Sequence, residues 1–258
     1  MADRSALNTI LQPGGLTPVF QPVFRVDERG ASLHGFECLT RGPRGTNFES
    51  AKVLFDYVRL KREETVIDRA CIAASLEKAA ELPPDLHLSL NVHASTLGRD
   101  LGFVDFLESS ASRCGIAMQN ITMEIVEHAP PWDGTSFQSA LTSLRAAGAT
   151  IALDDVGLGY SSFKMILDVA PDYLKVDRHF VDGCATDNRR QAILELLHHL
   201  ATRFHAELIA EGIETPDDRN LLRSMGVTLM QGYLFSEPLP LADAARLAQN
   251  GGRWTASA

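Results

Sequence analysis

Residues Val19–Leu39 read VFQPVFRVDERGASLHGFECL. Two runs rich in β-branched and aromatic residues, Val19–Val26 and Leu33–Leu39, flank the short polar link Asp27–Ser32. Such runs are strands. A parallel crossover needs a dozen or more residues, so a link this short makes the pair antiparallel. Further along, strand-like runs recur at Leu86–Val92, Ile121–Val126, Thr150–Asp154, Tyr173–Val176, Glu207–Ala210 and Val227–Met230. Stretches of helical period fill the gaps from the second strand onward. One is Asn188–His205, with Ile193, Leu196, Leu197, Leu200 and Phe204 as its apolar stripe. Another opens at Thr215-Pro216-Asp217-Asp218, where Thr215 suits the N-cap and Pro216 the first helical position. Eight strands alternating with helices predict an α/β chain closed as a (β/α)8 TIM-like barrel whose first strand is antiparallel. The expected unit is one domain over residues 1–258, with a core of about 17–248 and a loose tail at Gly251–Ala258.

The 258 residues carry 33 acids and 24 bases, a formal charge of −9. Readers of duplex nucleic acid need a basic face, and polybasic membrane anchors need one too, so both classes are excluded. Acidic small ligands are not, because a metal can supply positive charge. No apolar stretch reaches the roughly 20 residues that span a bilayer, and Met1–Gly15 lacks a signal-peptide core. Cys38, Cys71, Cys114 and Cys184 form no C-x-x-C pair and read as reduced thiols of a cytoplasmic protein.

The chemistry gathers where the strands end. The second strand closes in Glu37-Cys38-Leu39-Thr40-Arg41 and the third in Asn91. The fourth carries Glu124-Ile125-Val126-Glu127 and the fifth Asp154-Asp155. The sixth gives Lys175-Val176-Asp177, the seventh Glu211-Gly212-Ile213-Glu214, and the eighth Gln231-Gly232-Tyr233. One polar residue at a strand end usually caps a loop. Seven strands in succession point to the C-terminal face of a barrel, where active sites are built. Eight acids (Glu37, Glu124, Glu127, Asp154, Asp155, Asp177, Glu211, Glu214) face only Arg41, Lys175 and Arg178. Crowded carboxylates protonate or bind cations, and hard oxygen donors with the Asn91 amide suit Mg2+ or Mn2+. No H-E-x-x-H is present, and His198-His199 reads as a surface pair rather than a ligand pair. Adjacent strand residues point to opposite faces, so Asp154 and Asp155 share a site only if the chain turns at once, which Gly157 and Gly159 permit. Two ions about 3.5–4 Å apart would then clamp both oxygens of an in-line phosphoryl displacement.

These motifs in combination, from Phe20-Gln21-Pro22 to Ser236-Glu237-Pro238-Leu239-Pro240, resemble the EAL domain family of bacterial cyclic di-GMP phosphodiesterases. The resemblance implies a barrel with an antiparallel first strand, two Mg2+ or Mn2+ ions, and hydrolysis of cyclic di-GMP to linear pGpG. It implies that Glu37, Asn91, Glu124 and Asp154 hold one ion, and that Asp155 with Asp154 places the second, with the attacking water between them. Lys175 would orient that water. Glu211 would bind metal or water, or hold Lys175 in place, and Gln231 would support the water or a metal-bound group. Arg41 would meet a phosphate, Gln21 a guanine and Leu39 the substrate wall, while Glu127 would anchor the loop after the fifth strand. A homodimer is also implied. Two departures stand out. Cys38 replaces the usual alanine of the signature triplet, small for small. Val156-Gly157-Leu158-Gly159 replaces Phe-Gly-Thr-Gly in a loop tied to metal binding and dimer contacts. No implied metal ligand is lost, which favours an enzyme. The altered loop motivates the alternative, a weak or inactive cyclic di-GMP receptor or protein-interaction module.

Overall fold

The computed structural model describes residues 2–126, 134–157 and 163–254. Nine strands form one sheet: β1 (Thr17–Asp27), β2 (Gly30–Arg41), β3 (His87–His93), β4 (Ile121–Val126), β5 (Thr150–Val156), β6 (Tyr173–Val176), β7 (Glu207–Ala210), β8 (Leu229–Met230) and β9 (Arg253–Trp254). Strands β2 to β8 run parallel in sequence order. β1 closes the barrel by pairing antiparallel with both β2 and β8. The reversed first strand is therefore the architecture that the short link demanded. The link itself is tighter than the expected Asp27–Ser32: only Glu28 and Arg29 turn, and Asp27 Oδ1 accepts the Arg29 N–H at 2.7 Å.

Strand alternation sorts the side chains. In β3, Leu88, Leu90 and Val92 are buried in the main core, while His87, Ser89, Asn91 and His93 take the other face. Inside the barrel the residues fall into levels. At the N-terminal end of the parallel strands, His34 and His87 stack with ring centroids 5.1 Å apart, and Arg25 meets Glu207 at 2.8 and 3.1 Å. Val23, Ile209 and Leu229 form an apolar layer above this polar floor. The polar residues of the mouth lie beyond that layer, where the strands end.

Four expectations change. The helix at Asn188–Arg203 is present and capped by Asp187, but it buries Leu194, Leu197 and Ala201. Ile193 and Leu196 face outward, because the helix carries more apolar residues than one stripe can bury. An N-terminal helix, Ala2–Leu11, precedes β1 and seats Ile10 against Leu54, Val58, Ile67 and Cys71. Its short apolar signal had not marked it. The expected loose tail is pinned over its first part: Arg253 and Trp254 pair with Ser32 and Ala31. Trp254 also packs edge-on against Phe235 at 5.1 Å and lies under the Arg219 guanidinium. Finally, β8 shrinks to two residues.

Candidate active site

Glu37, Glu124 and Lys175 are buried at the ends of β2, β4 and β6, and Gln231 is buried just past β8. Each sits in or beside an apolar run whose neighbours pack outward on the helices, so the polar residue is left facing the mouth. Asn91 Nδ2 donates to Glu37 Oε1 at 3.0 Å, and Gln231 Nε2 donates to Glu37 Oε2 at 2.7 Å. The Lys175 ammonium stands amid four carboxylates, 2.6 Å from Glu124, 2.8 Å from Glu211, 3.2 Å from Glu37 and 3.3 Å from Asp154.

Asp155 reaches the same place by an unusual backbone. Its φ is 52°, in the left-handed region, and the β5–β6 ladder breaks register between Leu153 and Val156. A β-bulge of this kind re-aims a side chain, and Asp tolerates left-handed geometry better than most residues. The turn that brings Asp154 and Asp155 together is thus made at Asp155 itself and continued by Gly157, which has a φ of 99°. Gly159, credited with part of that turn, lies outside the described residues, as do Leu158 and Glu127. Ligand oxygens of Asp154, Asp155 and Glu211 all lie within 4.8 Å of one another.

The electrostatics follow from the crowding. Burial, Glu37 and Asp154 push the Glu124 carboxyl up to about 8 against the pull of Lys175. Burial, with Asp154 and Asp177, raises Asp155 to about 6. Burial also drives Glu211 well up despite Lys175. Glu37 is lowered, because Lys175, Asn91 and Gln231 together outweigh its burial. Lys175 is itself raised: burial opposes its charge, but Asp154, Glu124, Glu211 and Glu37 all favour it. Glu124 Oε1 and Gln231 Oε1 are buried oxygens without a hydrogen-bond donor. Five carboxylates (Glu37, Glu124, Asp154, Asp155, Glu211) against one ammonium leave four formal negative charges. Two divalent ions would balance that excess, and the donor set of carboxylate and amide oxygens fits hard cations.

Two cavities open beside this cluster. One of about 240 Å³ is lined by Gln21, Glu37, Leu39, Lys175, Glu211 and Gln231. Asp177, Arg178, Glu214 and Tyr233 also line it. The first three are among the strand-end charges of the sequence, with Tyr233 beside them, and the sequence motifs imply no role for any of the four. The other, about 280 Å³, shares Glu37, Leu39 and Asp154 with it and includes Arg41 and Asn91. The structure therefore gathers Glu37, Asn91, Glu124, Asp154, Asp155, Lys175, Glu211 and Gln231 at one mouth, with Gln21, Leu39 and Arg41 on its walls.

Comparison with known proteins agrees with this geometry. The profile of the EAL domain family matches residues 4–238. A cyclic di-GMP phosphodiesterase of Pseudomonas aeruginosa, NbdA, is 32% identical over 86% of this chain and 29% of its own length. A probable cyclic di-GMP phosphodiesterase of Escherichia coli, PdeG, is 30% identical over 95% of this chain and 48% of its own length. The chain thus spans less than half of either relative. Among solved structures, the EAL enzyme Bd1971 in its cAMP- and cyclic-di-GMP-bound form superposes with a TM-score of 0.84 at 26% identity, covering 96% of this chain and 69% of that one. A standalone EAL protein from Vibrio cholerae, bound to c-di-GMP, gives 0.78 at 27% identity over 88% of this chain and 93% of that one. With the family profile matched over nearly its whole length and the same closed barrel, the chain belongs to the EAL domain family.

Proposed function

We propose that this chain is a metal-dependent phosphodiesterase that opens cyclic di-GMP to linear pGpG. The observation that carries the reading is the convergence of five carboxylates, Asn91 and Lys175 at one barrel mouth. Glu37, Asn91, Glu124 and Asp154 would hold one Mg2+ or Mn2+, and Asp154, Asp155 and Glu211 a second. Bound there, the ions would acidify a water and clamp the two oxygens exchanged at phosphorus. The chain's own groups do the rest. Lys175 stays protonated among its acids, so it is not the base. It is a donor that orients the attacking water, and the unpaired Gln231 Oε1 can accept from that water. The water oxygen bonds to phosphorus while its proton passes to one of the crowded carboxylates, the bond from phosphorus to the 3′-oxygen breaks, and that oxygen takes up a proton. Arg41 offers a planar fork to a phosphate, and Gln21 and Leu39 bound the space for the nucleoside.

The working unit is one barrel with its core at about 17–248, paired with a second copy. Phe163 and Leu167, one turn apart on the helix Phe163–Val169, are 66% and 67% exposed and supply an apolar face for it. All four cysteines are free, in keeping with a cytoplasmic setting. No described helix is long and apolar enough to cross a membrane.

The test is incubation of the purified chain with cyclic di-GMP and Mg2+ or Mn2+, with a chelator control, followed by chromatography of the nucleotides. Metal-dependent pGpG is expected, and Glu37→Ala and Asp155→Ala should abolish it in folded protein. Tight binding without turnover under every metal condition would instead establish the receptor alternative.

A further inference from the structure

Two glycines beside the mouth share an unusual relation to one short helix. A Cβ added to Gly157 would lie 2.7 Å from Phe180 Cε2 and 3.1 Å from its Cζ. A Cβ added to Gly212 would lie 2.5 Å from the Cβ of Arg178 and 2.7 Å from its Cγ. Both glycines have positive φ, 99° and 66°. Gly157 lies two residues after Asp155, and Gly212 follows Glu211. Phe180 and Arg178 belong to the same one-turn helix, Arg178–Val181, which follows β6 and is capped by Asp177 Oδ1 accepting the His179 N–H at 2.6 Å.

The strand order explains why this matters. β5 and β7 do not pair, since β6 lies between them. Yet Asp154 and Asp155 from β5 and Glu211 from the end of β7 present oxygens within 4.8 Å of one another. Their spacing is therefore set across β6. The helix that continues β6 touches both loops at positions where only hydrogen fits. On the β5 side the contact is the Phe180 ring, half-buried against the main core. On the β7 side it is the Arg178 stem, tied to the same loop by Arg178 Nη1 at 2.9 Å from Glu214 Oε1.

We propose that the helix Arg178–Val181 is a spacer that fixes the separation of Asp155 from Glu211, and hence the second cation position, with Phe180 as its positioning residue on the β5 side. The inference rests on the metal-dependent reading above. Phe180 does not line the substrate cavity, so its effect passes through the β5 turn. A metal position tolerates misplacement of only about 0.5 Å. Removing the ring lets the left-handed turn at Asp155 relax, and adding a methyl at Gly157 pushes it away.

The experiment is calorimetric titration of the metal-free full chain with Mn2+, for wild type, Phe180→Ala, Phe180→Leu and Phe180→Val, with thermal unfolding as a control. Wild type should bind two ions. Phe180→Ala should keep the first ion at wild-type affinity and weaken the second by about tenfold or more, the usual scale for a residue supporting a metal ligand. Phe180→Leu, which restores most of the bulk, should recover most of that loss. A general loosening of the fold would weaken both ions together, so an equal loss at both overturns the assignment. A folded Phe180→Ala chain that binds both ions within about twofold of wild type also overturns it, being far below that scale. If Phe180→Ala does not fold, Phe180→Val, which also removes the ring atoms that face Gly157, decides by the same criterion. Wild type that binds no divalent ion would overturn the functional reading, and the spacer with it; two-ion binding by wild type with an indifferent Phe180→Ala overturns the spacer alone.

Discussion

Replacing Lys175 with Met removes the one positive charge among two buried carboxylates, Glu37 and Glu124, and two partly buried ones, Asp154 and Glu211, while keeping most of the side-chain volume. The ammonium lies 2.6, 2.8, 3.2 and 3.3 Å from Glu124, Glu211, Glu37 and Asp154. Deleting one partner of a buried ion pair costs about 3–5 kcal/mol, because the other charge is left uncompensated. In a chain of 258 residues that corresponds to a fall in melting temperature of about 6–20 °C, at roughly 2–4 °C per kcal/mol. The deficit must also depend on pH. Without Lys175 the Glu124 and Glu211 carboxyls rise further above their unfolded values, and Glu37 loses the charge that holds it down. A raised folded pKa gives stability that is present below the unfolded pKa and lost as pH rises through the folded one. The Met variant should therefore be close to wild type at pH 5.5, where its acids can protonate, and fall behind it progressively as pH rises to 8. Urea unfolding of both proteins at both pH values, in chelator, measures this. A deficit under about 1 kcal/mol at pH 8 would fall below the buried-pair range and refute the reasoning, as would one that does not change with pH.

The wild-type site makes a related prediction. Glu124 stands at about 8 against an ordinary 4.5, and Asp155 at about 6 against 3.8, so the metal-free chain should lose stability as pH rises through these values. Cations compete with those protons, so Mn2+ affinity should rise between pH 6 and pH 8, with proton release seen as a buffer-dependent heat; a flat affinity would count against the assignment. Ala170 has a φ of 46° at the end of the helix Phe163–Val169, where the Arg145 guanidinium donates to the carbonyls of Val169 and Ala170. Ala170→Gly should stabilise the chain by about 1 kcal/mol in urea unfolding, since an L-residue in the left-handed region is strained. Trp254→Ala should cost about 1–2 kcal/mol, from its edge contact with Phe235 and the Arg219 cation, without altering metal stoichiometry at the opposite end of the barrel.

Much of this was legible in the residues, for reasons that can be named. Asp27–Ser32 is too short for a crossover, so β1 had to run backwards, and that one reversal distinguishes this barrel from an all-parallel one. Glu37, Glu124 and Lys175 stood out because a charge inside an apolar run must face a special place. The hidden features depend on backbone geometry and on which contacts win. Asp154-Asp155 demanded an immediate turn, and the glycines that follow were the natural candidates. The chain bends first at Asp155 and then at Gly157, and the bend at Asp155 is what periodicity cannot reveal, because an aspartate is compatible with either geometry. The buried face of Asn188–Arg203 was misphased because Ile193, Leu194, Leu196 and Leu197 offer two competing stripes. The docking of Arg253–Trp254 depends on an exposed edge of β2 and on Phe235, neither of which a Gly-rich tail announces.

Under the proposed function Lys175 would have two roles that cannot be filled at once. An ammonium has three donors, and here four carboxylates crowd it, so no donor is left for a water. For Lys175 to orient the nucleophile, at least two of those acids must turn to other cations. Asp154 and Glu211 are the natural ones to leave, since both also belong to the group of converging oxygens with Asp155. Glu124 and Glu37 would remain, one bonded to Lys175 at 2.6 Å and the other fixed by Asn91 and Gln231. Under the proposed function the same side chain would be a stabilising counter-charge in the metal-free chain and a hydrogen-bond donor in the loaded one. Its loss should show as instability in chelator and as lost turnover in metal, and the two effects should separate: added divalent ions at about a hundredfold over their Kd can return about 2.7 kcal/mol per site to the Met variant, but none of the activity.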